Sequence, residues 1–149
     1  MQELKKPLSA ILSNEALSVG ERLEQVCELL RSSVNHYDWV GFYFHDSATR
    51  TLHLKAFAGE PTDHTTIPFG KGICGQVAES NQNFIVPDVK AQDNYIACSL
   101  HVKSEIVIPL FKNGQNIGQI DIDSHTLDPF TDEDVALLEH VNALVAEIV

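Results

Sequence analysis

The stretch SEIVIPLFKNGQNIGQIDIDS, residues 104–124, decides the fold. Two runs rich in β-branched residues flank Asn113-Gly114, a strong hairpin signal because both residues tolerate the positive φ of a tight turn. Residues 104–111 and 116–124 are therefore expected as antiparallel strands. Alternation in the second puts Ile120 and Ile122 on one face and Gln119, Asp121 and Asp123 on the other. A solvated face is the ordinary meaning of alternating carboxylates, and the hairpin register decides whether it applies. A three-residue loop, Lys112-Asn113-Gly114, sets Glu105 opposite Asp121 with both side chains on one face, where like charges repel. A two-residue loop sets Glu105 opposite Ile122 and removes the clash. Pro109 lacks an N–H and can force a bulge. In the first register Glu105, Asp121 and Asp123 form an anionic site. Such carboxylates raise one another's pKa unless a cation sits among them. An organic ammonium is favoured over calcium, because no loop offers alternating oxygen ligands.

Working outward, residues 39–45 and 51–57 also read as strands, joined by a polar loop at 46–50. Trp39, Gly41 and Tyr43 share one face of the first strand, and Val40, Phe42 and Phe44 the other. The second set is core; the first either packs ordinarily beneath a helix or places two aromatics on either side of an open groove, suited to an ammonium or a small apolar substituent. Residues 58–66 read as loop. Gly70, Gly72 and Gly75 lead into a short helix over 73–81, and 84–87 as a short buried strand. Residues 88–104 are long and irregular, and a loop of that length tends to carry function.

Both ends read as helix. A loosely amphipathic lead-in occupies residues 1–17. Ser18 with Glu21 makes a capping box for a helix whose apolar stripe is Leu23, Val26, Cys27, Leu30 and Val34. Thr131 caps a last helix running to about 149, with Asp134 at its third position and Phe130 and Val135 placed as a hydrophobic staple. Terminal helices around a hairpin-linked sheet define an α+β layered domain. The 149 residues fit one domain, with no repeat, low-complexity tract or linker to divide them.

Composition narrows the function. The chain carries 10 Lys plus Arg against 21 Asp plus Glu, a formal charge of −11, with neither Lys nor Arg after Lys112. Such a field repels phosphate backbones and anionic lipid, so nucleic acid and membrane surfaces are not expected as partners. The longest apolar run, residues 106–111, is too short to span a bilayer, and the N-terminus has no signal-peptide pattern. Three scattered cysteines, Cys27, Cys74 and Cys98, fit a reducing cytoplasm rather than a disulfide scaffold. Without a CxxC, and with no His at zinc spacing, no metal site is expected. Cys27 lies in a core stripe and reads as a small hydrophobe. Cys74 falls near a helix start, where N–H groups and the dipole lower a thiol pKa. Cys98 lies in the long irregular segment, and the residues alone leave two readings: inert buried thiols, or a thiol chemistry assembled from residues far apart in sequence.

Taken together, Trp39-Val40-Gly41-Phe42-Tyr43, Gly72-Ile73-Cys74-Gly75, Ile96-Ala97-Cys98, Ser104-Glu105-Ile106-Val107 and Gly118 through Asp121-Ile122-Asp123-Ser124 resemble the GAF-domain family of free methionine-(R)-sulfoxide reductases. The resemblance runs in order from about residue 20 to 140. It implies the GAF fold: a six-stranded antiparallel sheet, helices from both termini packed on one face, and a ligand pocket on the other. It also implies cytoplasmic repair of free methionine sulfoxide, with no bound cofactor and with thioredoxin as external reductant. By position Cys98 matches the catalytic cysteine, Cys74 the cysteine of the GxCG motif, Glu105, Asp121 and Asp123 the substrate-binding carboxylates, and Trp39 and Tyr43 the aromatic wall. The chain departs from the pattern in three places. His64 stands where a third, resolving cysteine is usual, and Tyr95 and Ser99 flank the IAC motif in place of His and Asp. Only Cys74, or an external thiol, is then left to resolve Cys98. The alternative is a non-catalytic GAF module that binds a small ligand or senses redox state; the chain ending after its last helix, with no output domain, favours the reductase. Apolar terminal helices could pair as a homodimer.

Overall fold

A computed structural model describes residues 1–92 and 101–149. The turn at Asn113-Gly114 takes the positive φ its residues permit, 53° and 78°, and joins β5 (Ser104–Lys112) to β6 (Gln115–Ser124). Lys112 pairs with Gln115, so the loop has two residues. A bulge follows at once: Phe111 faces Asn116 but Leu110 faces Gly118, leaving Ile117 as the extra residue. Neither register expected from the sequence survives. Glu105 lies opposite Asp123, and Val107 opposite Asp121. The turn alone would have put Glu105 against Ile122; one inserted residue shifts the ladder by one and exchanges the two faces.

On the other side of β6 runs β1 (Trp39–Asp46), pairing Trp39 with Asp123, Gly41 with Asp121 and Tyr43 with Gln119. β2 (Thr51–Ala58) pairs with β1, and β3 (Thr66–Pro68) with β2. β4 (Phe84–Val86) closes the far edge against β5. The sheet is antiparallel throughout, in the order β3-β2-β1-β6-β5-β4. β3, only three residues long, falls in a stretch that the sequence assigns to loop and glycine turn.

Helices α1 (Lys5–Leu12), α2 (Val19–Ser33) and α4 (Asp132–Ala146) cover one face of the sheet. The capping box of α2 forms as expected, with Ser18 and Glu21 exchanging hydrogen bonds of 3.2 Å. Cys27 is fully buried in this layer with Val40, Phe42, Ile120 and Ile122. Asp134 caps α4 from a buried position. It accepts from Thr131 N–H at 2.8 Å and from Tyr37 O–H at 2.7 Å, with His36 Nε2 at 2.8 Å. That carboxylate ties α4 to the segment between α2 and β1. The opposite face carries α3 (Gly72–Ser80), whose Ile73, Val77 and Ala78 pack with Tyr43, Leu52 and Val107. Among the described residues no helix is long and apolar enough to cross a membrane.

Candidate functional site

The α3 face of the sheet is built in rungs. One rung runs Val86, Glu105, Asp123, Trp39 across β4, β5, β6 and β1; the next runs Phe84, Val107, Asp121, Gly41. Alternation within β6 and the bulge in its hairpin thus bring Glu105, Asp121 and Asp123 to one face. All three are buried, at 5%, 1% and 1% exposure, which excludes a solvated face.

Cys74, three residues into α3, projects onto these acids. Its Sγ donates to Asp121 Oδ2 at 3.3 Å and lies 4.0 Å from Glu105 Oε2. Gln119, on the same face of β6, donates its Nε2 to the Cys74 carbonyl at 3.2 Å and holds the start of the helix on the sheet. The alternation of β6 places Gln119 on this face with Asp121 and Asp123, but the sequence alone assigns it no role. Burial pushes the Cys74 thiol well above its ordinary pKa, and the charges of Asp121, Glu105 and Asp123 add to the effect. This corrects the expectation of a thiol acidified by the helix terminus: desolvation and facing carboxylates outweigh a partial helix charge. Burial also raises the Asp121 carboxyl, opposed by hydrogen bonds with Glu105 and Cys74.

Trp39 and Tyr43 stand on the same face, their ring centroids 6.4 Å apart. The open groove expected between them is not there. The Trp39 indole folds across Gly41, where a Cβ would lie 2.6 Å from Cζ3, and it stacks on Phe57 at 5.8 Å. Its Nε1 donates to the Glu60 carbonyl at 2.9 Å, and Tyr43 O–H to the His64 carbonyl at 2.8 Å. Both aromatics thereby hold the loop before β3 over the site.

Two hollows open here. A cavity of about 20 Å³ is lined by Tyr43, His64, Lys71, Cys74, Glu105 and Asp121. A second, of about 140 Å³, is lined by Arg31, Asp38, Trp39, Glu60, Asp123 and His125. The structure thus gathers Cys74, Glu105, Asp121 and Tyr43 around one space and gives Trp39 and Asp123 to the next. Asp38 and His125 were not singled out from the sequence; His125 N–H donates to Asp38 Oδ2 at 2.7 Å. Cys98, with Tyr95 and Ser99, lies outside the described residues.

A six-stranded antiparallel sheet in this order, with terminal helices behind and α3 in front, is a GAF fold. Residues 16–149 match the GAF domain family, and the chain belongs to it. Within that family its similarity runs to reductases. It is 37% identical over 147 residues to the free methionine-R-sulfoxide reductase of Saccharomyces cerevisiae, spanning 91% of this chain and 81% of the yeast protein. It is similar in structure to the type II free methionine-R-sulfoxide reductase of Thermoplasma acidophilum, at 38% identity and a TM-score of 0.83, covering 87% of this chain and 91% of that one. It is also similar to the fRMsr of Staphylococcus aureus in complex with substrate, at 33% identity and a TM-score of 0.87, covering 99% and 95%.

Proposed function

We propose that the protein is a thiol-dependent reductase that converts free L-methionine-(R)-sulfoxide to methionine in the cytoplasm. The observation that carries this reading is the buried set of Cys74, Glu105 and Asp121 beneath Tyr43, in a chain related to named reductases of that substrate. The carboxylates, Asp123 included, offer the charge an amino acid's ammonium requires, and Trp39 and Tyr43 offer an apolar wall for its S-methyl end. Cys98 is the nucleophile. Its sulfur attacks the sulfoxide sulfur, and a protonated carboxyl of the Glu105–Asp121 pair protonates the departing oxygen. The oxygen leaves as water with the carboxyl's proton and the Cys98 proton. A water molecule then attacks the Cys98 sulfur, and the S–S electron pair leaves with methionine. Cys98 becomes a sulfenic acid, and the freed proton returns to the carboxylate. The Cys74 thiol, 3.3 Å from Asp121, then attacks the sulfenic sulfur; a disulfide forms, and the hydroxyl leaves as water with the Cys74 proton, which the Asp121 carboxylate relays. Thioredoxin reduces the disulfide and restores both thiols. His64 fills the place of a third cysteine, so the cycle uses two. A space of about 20 Å³ holds a water, not an amino acid, so substrate entry requires the cavity to open.

The test is NADPH consumption with thioredoxin, thioredoxin reductase and free L-methionine-(R)-sulfoxide. Turnover by the wild type, abolished in Cys98→Ser and reduced with raised KM in Glu105→Gln, is expected. Absence of wild-type turnover, or full activity of Cys98→Ser, sinks the reading. Mass spectrometry of the oxidised protein should show a Cys74–Cys98 disulfide; two free thiols would refute the two-cysteine cycle.

A further inference from the structure

Residues 31 and 47 positions apart in the chain converge on one point: Cys74 Sγ, one oxygen of Glu105 and one of Asp121 lie within 4.8 Å of one another, all buried. A tetrahedral zinc ion, with bonds of about 2.3 Å to sulfur and 2.0 Å to oxygen, separates its sulfur and oxygen ligands by about 3.5 Å. The two sulfur–oxygen separations here, 3.3 and 4.0 Å, bracket that edge. The third separation, oxygen to oxygen, is within 4.8 Å, so the three donors are close enough to share one ion.

A second observation is independent of those separations. Asp121 Oδ1 is buried and has no hydrogen-bond partner among the described residues, although Asp121 is only 1% exposed and lines the cavity. A buried carboxylate oxygen without a donor is costly, and a cation beside it removes the cost. The adjoining space of about 20 Å³ admits one body of water or ion size. The class of ion follows from the donors. Calcium and magnesium prefer all-oxygen shells, whereas one thiolate with two carboxylates suits a borderline divalent ion.

We infer that Cys74, Glu105 and Asp121 form a binding site for a zinc-like divalent transition-metal ion, with the fourth coordination position facing the cavity. On binding, the Cys74 proton and any proton shared by the carboxyl pair pass to solvent, and the metal takes their place. The spacing rules that locate zinc sites in sequence miss it, because each ligand comes from a different element: α3, β5 and β6. Only the consequence for catalysis rests on the reductase reading. Metal and substrate then exclude each other, and the ion masks the resolving thiol.

The experiment uses Cys98→Ser protein, which retains Cys27 and Cys74 as its thiols, titrated anaerobically with Co²⁺. One equivalent should produce a sulfur-to-cobalt charge-transfer band with the strong visible bands of a four-coordinate ion, and Zn²⁺ should erase both. Adding Cys27→Ser should leave the spectrum unchanged, whereas adding Cys74→Ser should abolish the charge-transfer band. Asp121→Asn should weaken binding by about tenfold or more, the loss of one charged ligand contact. A missing charge-transfer band in the folded Cys98→Ser or Cys27→Ser/Cys98→Ser protein, or a band that survives Cys74→Ser, overturns the inference. Methionine sulfoxide should displace the cobalt. An intact cobalt spectrum that ignores methionine sulfoxide counts against the reductase reading and leaves the metal site standing.

Discussion

Replacing Gly41 by Ala tests whether the Trp39 indole is held over the site by the absence of a side chain beneath it. The added Cβ would lie 2.6 Å from Trp39 Cζ3 and closer still to Cη2. Aromatic carbons cannot accept that contact, and the ring is no flexible tail. If the indole stays, β1 must shift, and overpacking of this kind costs about 1–3 kcal/mol. If it swings away, it loses the Glu60 hydrogen bond, at about 1 kcal/mol, and the stack on Phe57, at about another. Both routes converge on about 2 kcal/mol, which lowers the Tm of a domain this size by about 4–8 °C. Trp39 is the sole tryptophan and is 5% exposed, so its fluorescence reads the local outcome directly. Emission should shift to the red and become accessible to iodide. Because Gly41 pairs with Asp121, the same change should raise KM for methionine sulfoxide more than it lowers kcat. Unchanged emission together with an unchanged Tm would refute the argument that Gly41 makes room for the indole.

The buried Asp134 offers an independent test of what holds the helical layer. Asp134→Ala leaves Tyr37 O–H and the Thr131 N–H without their acceptor and should cost about 3 kcal/mol, a Tm fall of about 6–12 °C. Tyr37→Phe, which leaves the carboxylate its other partners, should cost about 1 kcal/mol; equal losses in the two variants would contradict the arrangement. Thiol reactivity checks the electrostatics. Burial raises both Cys27 and Cys74, so Cys98→Ser protein at pH 8 should react with a disulfide reagent slower than its unfolded form by on the order of a hundredfold or more. A single fast thiol in that variant would show that Cys74 is not protonated and enclosed.

What the sequence discloses here is whatever depends on near neighbours in the chain. The face assignment of β1 follows from strict alternation, so Val40 and Phe42 sit under the helices while Trp39 and Tyr43 face the site. The Asn-Gly turn, both capping boxes and the core position of Cys27 are equally local, and each is present. Three things are not local. The fate of Cys74 depends on which residues lie across 31 and 47 positions of chain, so a rule about helix termini gives the wrong sign. The groove beside Gly41 is filled by its own neighbour's indole, a rotamer choice that no pattern encodes. β3 is too short to show a period.

The bulge at Ile117 joins the fold to the site, and parity makes it necessary. Asp121 faces α3 because Ile120 and Ile122 must face the helical core. A two-residue turn pairs Lys112 with Gln115, and an unbroken ladder from that pair would set Glu105 against Ile122, on the helical face. There Glu105 would meet a layer of Val, Leu and Ile side chains with no ion pair to receive it. A carboxyl buried among them costs several kcal/mol or must stay protonated. Ile106 and Ile108 would meanwhile turn away from that core. One extra residue resolves both conflicts, because it leaves the turn intact, keeps Ile106 and Ile108 with the helices and brings Glu105 alongside Asp123. The three acids can therefore share a face with Cys74 only because the ladder slips once between the turn and the site.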